Sequence, residues 1–577
     1  MQKSGYYTSV NPELLASIPL AAESVLEIGC GAGALGHVYK KSNPLAIYVG
    51  IEYVKNAANS ASQVLFHVLC GDVEDPGLII PLVNDRPYDC IVYGDVLEHL
   101  RDPWDCLSRH LDLLSNDGVV VACIQNVQHW SVLAHLLNGQ WPTVDQGIFD
   151  RTHLRWFTRD SIVQWFKSAG LHVYDLQPRI FALEKAKDFA QKMLPALHNL
   201  GLDPKKVLEG MAPLQYVVTA GRVDRKPLVV EGLSNIRPDS MAEVRLSQPL
   251  RSLASQPCIK TKFYRNEIKL SPRSEFDQRV LIWQRPIFRP TEQDFKKLRA
   301  LLRNRYVVVI DWDDDPNYFP SLKDNDYITF RMVHAVQTSR PELADIVRQW
   351  NPNVACFPNM LEKICFERGQ RRKPDNLGLK MFFGAFNREK DWMPLMDALN
   401  GVLRDDPNFW SVSVVHDHAF FKAIDLPSSQ KSFLPHSSHA DYMEAMSSCD
   451  FAFLPLLDTS FNRLKSDLKA VEVASCGLAA LASYVVYGDS IQAGVTGELF
   501  HSASEMVSCL KAWRNNPQQV RVLGYAGMKW VREKRMSAYQ VKDRENWYRR
   551  LVDQRDQLTR ELLERVPQLK KYSNDSL

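Results

Sequence analysis

Val25-Leu26-Glu27-Ile28-Gly29-Cys30-Gly31-Ala32-Gly33-Ala34-Leu35-Gly36 runs from an apolar strand through a glycine-rich turn into a helical pattern. The glycines let the backbone turn sharply and let a ligand approach without interference from Cβ atoms. Gly31 to Gly36 also spells GxGxxG, so a dinucleotide is one reading. Glu27 points elsewhere. Two residues ahead of the first glycine, its carboxylate suits an ammonium-bearing ligand and would offer a pyrophosphate nothing. Glu52 follows the second strand, 19 residues after Gly33, where it can take ribose hydroxyls under either reading. Asp72, in Cys70-Gly71-Asp72-Val73, ends the third strand, where an acid can accept from the exocyclic amine of adenine.

Outward from this stretch, short apolar runs alternate with helical-period segments, which predicts a parallel sheet covered on both faces. The first array has strands near Ser24–Ile28, Ile47–Ile51, Val64–Cys70, Tyr88–Tyr93 and Val119–Ile124, then Leu171–Leu176 and Leu214–Ala220. It ends at Gly221–Lys226, and Val229–Ser240 reads as a linker or the entry to the next domain. A second array begins near Glu243, with strands near Val280–Trp283, Tyr306–Asp311, Ala335–Ser339 and Val354–Pro358. After the polar stretch Glu367–Gly378 the strands resume at Leu379–Phe386, Trp410–His416, Asp450–Leu454 and Ala479–Ser483. The chain from about Tyr539 is charged and helical, with Leu551, Leu558, Leu562 and Val566 on one face, and is expected to pack back on the protein.

Composition sets the outer bounds. At 577 residues the chain exceeds the roughly 250–300 that one core supports, so several domains are expected. Lys+Arg 70 against Asp+Glu 67 leaves a net charge of +3, without the electrostatic footprint of a general nucleic-acid binder. The 11 cysteines include no CxxC pair, which suits a reducing compartment without structural zinc. The N-terminus shows no apolar signal region, and no run of ~18 apolar residues suggests a span. A cytoplasmic protein is expected.

Glu27, the glycines, Glu52 and Asp72, with the block Tyr88–Pro103 (YDCIVYGDVLEHLRDP), resemble the class I S-adenosylmethionine-dependent methyltransferases over residues 1–224. The resemblance implies a cofactor pocket lined by Glu27, Gly29, Gly31, Gly33, Glu52, Asp72, Val73 and Asp95. Glu98 and His99 begin the helix after the fourth strand. The string Gly147–Thr158 (GIFDRTHLRWFT) resembles a segment of methyltransferases tied to bacterial surface-polysaccharide assembly. It occupies the usual place of the acceptor-side cap, and Thr158 can also be read as a helix N-cap. His153 is a candidate base for an acceptor hydroxyl, because imidazole titrates near neutral pH, or a packing residue of the cap. His99 and His129 are lesser candidates. No metal cluster is visible in the sequence, so a metal-independent reaction is expected.

The second array is similar to the retaining, group 1 GT-B glycosyltransferases over roughly residues 243–545. Gly384-Ala385-Phe386-Asn387-Arg388-Glu389-Lys390 places cations just beyond a strand, which suits a diphosphate. Lys469 and Glu472 share a helical face in Asp467–Glu472, where they could serve a phosphate and a ribose diol. The resemblance implies Gly384, Arg388, Lys390, Lys469 and Glu472 as nucleotide-sugar contacts. Many relatives carry a second glutamate eight positions earlier, where this chain has Leu464. Asp311-Trp312-Asp313-Asp314-Asp315 reads as a cleft loop rather than a metal site, and His334 as a core histidine.

The fold class that follows is α/β: an N-terminal Rossmann-like methyltransferase sheet (1–224), a linker (225–242), then a two-lobed GT-B glycosyltransferase. Its acceptor-side lobe spans 243–366, an inter-lobe linker 367–378, and its nucleotide-sugar lobe 379–545; a helical tail covers 546–577. The two resemblances together imply S-adenosyl-L-methionine and a UDP- or GDP-linked sugar as donors. They also imply a glycan or lipid-linked oligosaccharide acceptor and transient association with the inner face of the cell membrane. A non-catalytic, glycan-binding second half is the rival reading, and a small-molecule methyltransferase with a scaffold domain the third. Oligomeric state is left open, a homo-oligomer included.

Overall fold

The first sheet is built from β1 (Ser24–Ile28), β2 (Ile47–Glu52), β3 (His67–Cys70), β4 (Tyr88–Gly94), β5 (Leu114–Gln125), β6 (His172–Arg179) and β7 (Gln215–Gly221). The computed structural model describes residues 8–570 except 84–86, 236–238, 270–277, 365–377 and 436. The strand order is β3-β2-β1-β4-β5-β7-β6, parallel from β3 to β5 and antiparallel at β5–β7 and β7–β6. All five residues of β1 are buried, because helices cover both faces. Alternation sends Leu26 and Ile28 into one core with Ile51, Ile91 and Tyr93, and Val25 into the other with Tyr48, Cys90 and Val92. Glu27 therefore lies on the second face, a carboxylate set in an apolar layer.

The chain divides into two compact units. One comprises Met1–Pro227 with Ala254–Ile259, the other Leu228–Leu253 with Lys260–Leu577. The second unit holds two sheets. The first contains β8 (Leu228–Ser234), β9 (Ile259–Arg265), β10 (Gln278–Gln284), β11 (Tyr306–Asp311), β12 (Ala335–Thr338) and β13 (Val354–Cys356), in the order β13-β12-β11-β10-β8-β9. The other contains β14 (Leu379–Gly384), β15 (Trp410–Val415), β16 (Lys431–Leu434), β17 (Phe451–Leu454), β18 (Ala479–Ser483) and β19 (Glu498–Phe500), in the order β16-β15-β14-β17-β18-β19, parallel throughout. This is the α/β architecture the sequence implies, with one correction. The stretch 225–242, expected as a linker, contains β8, which pairs in parallel with β10 along its whole length, Leu228↔Gln278 to Ser234↔Gln284. The inter-lobe linker 367–378 lies outside the described residues apart from Gly378.

After the third sheet the chain returns to the second. Helices Val541–Asp553 and Arg555–Arg565 bring Leu562, Val566 and Leu569 into one core with Val308, Ile310 and Val336. Tyr548 donates its hydroxyl to Gln337 at 2.7 Å, and the buried His334 accepts the Val308 amide at 2.9 Å. The expectations of a tail that packs back and of a core histidine are both met in this packing.

Arg535 ties the halves of the second unit together. Its guanidinium grips Asp467 with two bonds, 2.5 and 2.7 Å, and donates to the Asn359 carbonyl at 3.0 Å. Removing one partner of a largely buried pair leaves the other charge uncompensated. Arg535→Ala should therefore destabilise the second unit by about 3 kcal/mol, read as a lower melting transition in calorimetry, with S-adenosylhomocysteine binding unchanged.

Candidate functional site

The glycine turn of the N-terminal unit is held in left-handed backbone: φ is +72° at Gly29, +55° at Gly31 and +80° at Gly33. The Gly29 amide donates to the Ile51 carbonyl at 2.8 Å, and the Gly31 amide to Glu52 Oε2 at 2.8 Å. Glu52 Oε1 accepts the Val54 amide at 2.8 Å, so this carboxylate is fixed at the end of β2 with lone pairs to spare. Asp72 follows β3, half-exposed and paired with Arg101 at 3.0 Å, beside the buried Val73. Asp95, at φ +53°, takes the Gln215 side-chain amide.

Glu27 is buried and its Oε2 has no hydrogen-bond partner. Burial pushes its pKa up to about 8, which the Tyr48 hydroxyl offsets only in part and the Glu52 charge reinforces. An orphaned carboxylate beside a left-handed glycine cradle fits a ligand that brings its own positive charge. The sign of the linkage follows. A carboxyl whose folded pKa lies above its unfolded value of 4.5 contributes its full stability below that value and loses it as pH rises through about 8. Glu27→Gln should flatten the fall in melting temperature of the ligand-free N-terminal unit between about pH 5 and pH 8, measured by calorimetry, and should weaken S-adenosylhomocysteine binding.

The candidate bases are distributed unevenly. His129 caps the helix Trp130–Leu137 by accepting the Ser131 amide, and burial pushes its pKa down to about 4. A group titrating there is a poor base at neutral pH. Thr158 forms a capping box with Ser161, as its N-cap reading expects. His99 and His153 come together, their ring centroids 4.7 Å apart. Glu98 joins them: it is fully buried and neither carboxylate oxygen has a partner. The structure thus draws Glu98, His99 and His153 into one cluster of metal-ligating type, which was not visible in the sequence. Sequence reasoning passed over Glu98 because the 3-10 turn Leu97–His99, rather than a regular helix, turns it inward.

In the second unit, Lys469 donates its ammonium to the carbonyl of Gly384 at the end of β14. Burial and then the neighbouring Arg388 charge push the Lys469 pKa down to about 8. A Cβ on Gly384 would stand 2.6 Å from the Tyr442 ring, so glycine is needed for this approach. Three residues along the same helix, Leu468–Ser475, Glu472 meets His439 Nε2 at 3.0 Å. Arg388 bonds Asp391 and Asn462, each at 3.0 Å. Lys390 is exposed on the helix Glu389–Trp392 and, among the described residues, stands apart from these contacts. His439, Asp391 and Asn462 went unpredicted; the spacing of Ser438 and Asp441, which form a capping box, was the one local signal near His439. The acidic string is spent on ion pairs: Asp311 on Arg245 at 2.6 Å, Asp313 and Asp314 on Arg285 at 2.5 and 2.9 Å, and Asp314 also on Lys465.

Comparison with known proteins addresses the N-terminal unit directly. The family model described as a methyltransferase domain matches residues 6–176. The N-terminal unit carries a methyltransferase domain. Ubiquinone biosynthesis O-methyltransferase of Psychrobacter arcticus is 25% identical over 148 residues, which are 25% of this chain and 58% of that protein. The Coxiella burnetii enzyme of the same name is 24% identical over 167 residues, 28% of this chain and 68% of its own. The chain thus spans little more than half the length of the Psychrobacter relative. Among solved structures, Anabaena HepE in complex with UDP and glucose covers 55% of this chain and 98% of its own, at 13% identity and a TM-score of 0.39.

Proposed function

We propose that this chain is a bifunctional enzyme of bacterial surface-polysaccharide assembly. Its methyltransferase unit moves a methyl group from S-adenosyl-L-methionine to a sugar hydroxyl. Its second unit moves a sugar from a UDP- or GDP-linked donor to a glycan acceptor with retention. The observation that carries the proposal is the presence, on one chain, of the glycine cradle with its orphaned Glu27 and of the Lys469–Gly384 and Glu472 cluster.

The donor sulfonium supplies an already activated methyl group, so the protein's task is to bind and to align. Glu27 receives the ammonium group, Glu52 the ribose hydroxyls, and Asp72 and Val73 the adenine side. Trp141 and Trp156 lie near the cap segment that bears His153; both rings are exposed, with centroids 5.7 Å apart. Such amphipathic faces suit the apolar side of a sugar ring. In the second unit Lys469, with Arg388, holds the diphosphate and Glu472 the ribose. No helix among the described residues is long and apolar enough to cross a membrane, and the proposed place of work is the cytoplasm, at the inner face of the membrane, on a lipid-linked acceptor.

Calorimetric titration with UDP, GDP and their sugar conjugates tests the second site, with S-adenosylhomocysteine as the control. Saturable binding of one nucleotide supports the proposal and gives the donor class. One observation favours a rival. Leu464, where a carboxylate would hold the donor sugar, is apolar and partly buried. Absence of nucleotide binding beside normal S-adenosylhomocysteine binding would make the second unit a glycan-recognition module. Methylation of oligosaccharides but not of aromatic small molecules is the expected acceptor pattern.

A further inference from the structure

We infer that Glu98, His99 and His153 form a binding site for one divalent transition-metal cation in the methyltransferase unit. One ligand atom from each of the three lies within 4.8 Å of the others. A cation held at about 2.1 Å from each would draw those atoms to roughly 3.0–3.4 Å, an adjustment of up to roughly 1.4–1.8 Å.

The hydrogen bonds around the cluster prepare it for a cation. His153 Nδ1 faces the Ile148 carbonyl at 3.1 Å. A carbonyl only accepts, so Nδ1 carries the proton and Nε2 keeps a lone pair. The Thr152 hydroxyl donates to Asp150 Oδ1 at 2.7 Å and so accepts from His99 Nδ1 at 3.0 Å, while the Thr152 carbonyl stands 3.3 Å from the same nitrogen. His99 is thereby fixed in the same tautomer. Metal-bound histidines are oriented in this way, by a carbonyl or a carboxylate-linked acceptor on the far nitrogen.

Glu98 supplies the independent observation. Its side chain is wholly buried, yet both oxygens lack partners, which is costly unless a positive charge completes the site. The Glu98 carbonyl meanwhile accepts the amides of Leu154 and Arg155 at 2.8 and 3.1 Å, and these bonds hold His153 over it. Two imidazoles and one carboxylate favour zinc, manganese, iron or cobalt over magnesium or calcium. Three protein ligands leave positions open to water or to the oxygen of an acceptor. The inference rests on the methyltransferase unit alone and is independent of the proposed sugar substrates.

The test uses the full chain, stripped with chelator and desalted. Cobalt(II) is titrated and followed by visible absorption, and manganese(II) by electron paramagnetic resonance, in wild type, Glu98→Gln and His153→Ala. One equivalent per chain is expected in wild type, with affinity at least 100-fold weaker in both variants and S-adenosylhomocysteine binding retained in each. Absence of saturable binding of either cation in wild type overturns the inference, as does binding that both variants leave unchanged. Should either variant lose S-adenosylhomocysteine binding, and with it evidence of folding, the partly exposed His99→Gln decides by the same criterion.

Discussion

Lys469→Ala should abolish nucleotide-sugar binding by the second unit, weakening it at least 100-fold, and leave S-adenosylhomocysteine binding untouched. The Lys469 ammonium reaches the end of β14, where its described partner is the Gly384 carbonyl. A neutral carbonyl does not neutralise an ammonium, so a diphosphate gains a charge-assisted bond that water could not match in a buried site. Arg388, the other nearby cation, already bonds Asp391 and Asn462 and has less to give. The same residue sets a pH dependence. Its charge is fully present below about 8 and is lost above it, so nucleotide affinity in the wild type should fall as pH rises through that value. Isothermal titration at pH 7 and pH 9 reads both effects. Unchanged affinity in Lys469→Ala would remove the residue from the site.

Gly31→Val should eliminate S-adenosylhomocysteine binding and methyl transfer while nucleotide binding by the second unit persists. The backbone at Gly31 has φ +55°, which costs an L-residue roughly 1–2 kcal/mol and a β-branched one more. The valine side chain would also stand where the cofactor must approach. Neighbouring glycines would be worse probes. A Cβ at Gly29 would lie 2.3 Å from Val96 Cγ2, and one at Gly33 2.8 Å from Val64 Cγ2, so substitutions there disturb packing as well as binding. A folded Gly31→Val protein that still bound S-adenosylhomocysteine would place the cofactor elsewhere.

Most of the fold was legible because parallel strands buried on both faces are written as apolar runs. Tyr306–Asp311 and Ala479–Ser483 appear with the predicted limits. β8 was missed although Leu228–Ser234 is largely apolar, because the polar, proline-containing flanks, residues 224–227 before it and 235–240 after it, read as a linker and its partner β10 lies 44 residues further on. The short strands β16 and β19 carry too few residues to show a period. For the site, local motifs revealed what local backbone builds: the glycine cradle, Glu52, and the placing of Lys469 and Glu472 on one helix. Glu98 and His153 are 55 residues apart, joined through the Glu98 carbonyl, and His439 reaches Glu472 across 33 residues. Such meetings are decided by tertiary packing, and no spacing in the sequence announces them.

The interleaving of the chain between its two units has a practical result for anyone dissecting the protein. The path passes from one unit to the other after Pro227, again after Leu253 and once more after Ile259. Neither half is a continuous segment, so no single cut yields two whole pieces. Cleavage at the expected linker, near residue 242, would strand β8 on the wrong fragment and leave β10 with a bare edge. It would also take Ala254–Ile259 from the methyltransferase unit. Separating the two units is therefore a task for point substitutions; a stop codon between residues 227 and 259 removes part of both units, whereas one after 259 spares every residue of the methyltransferase unit.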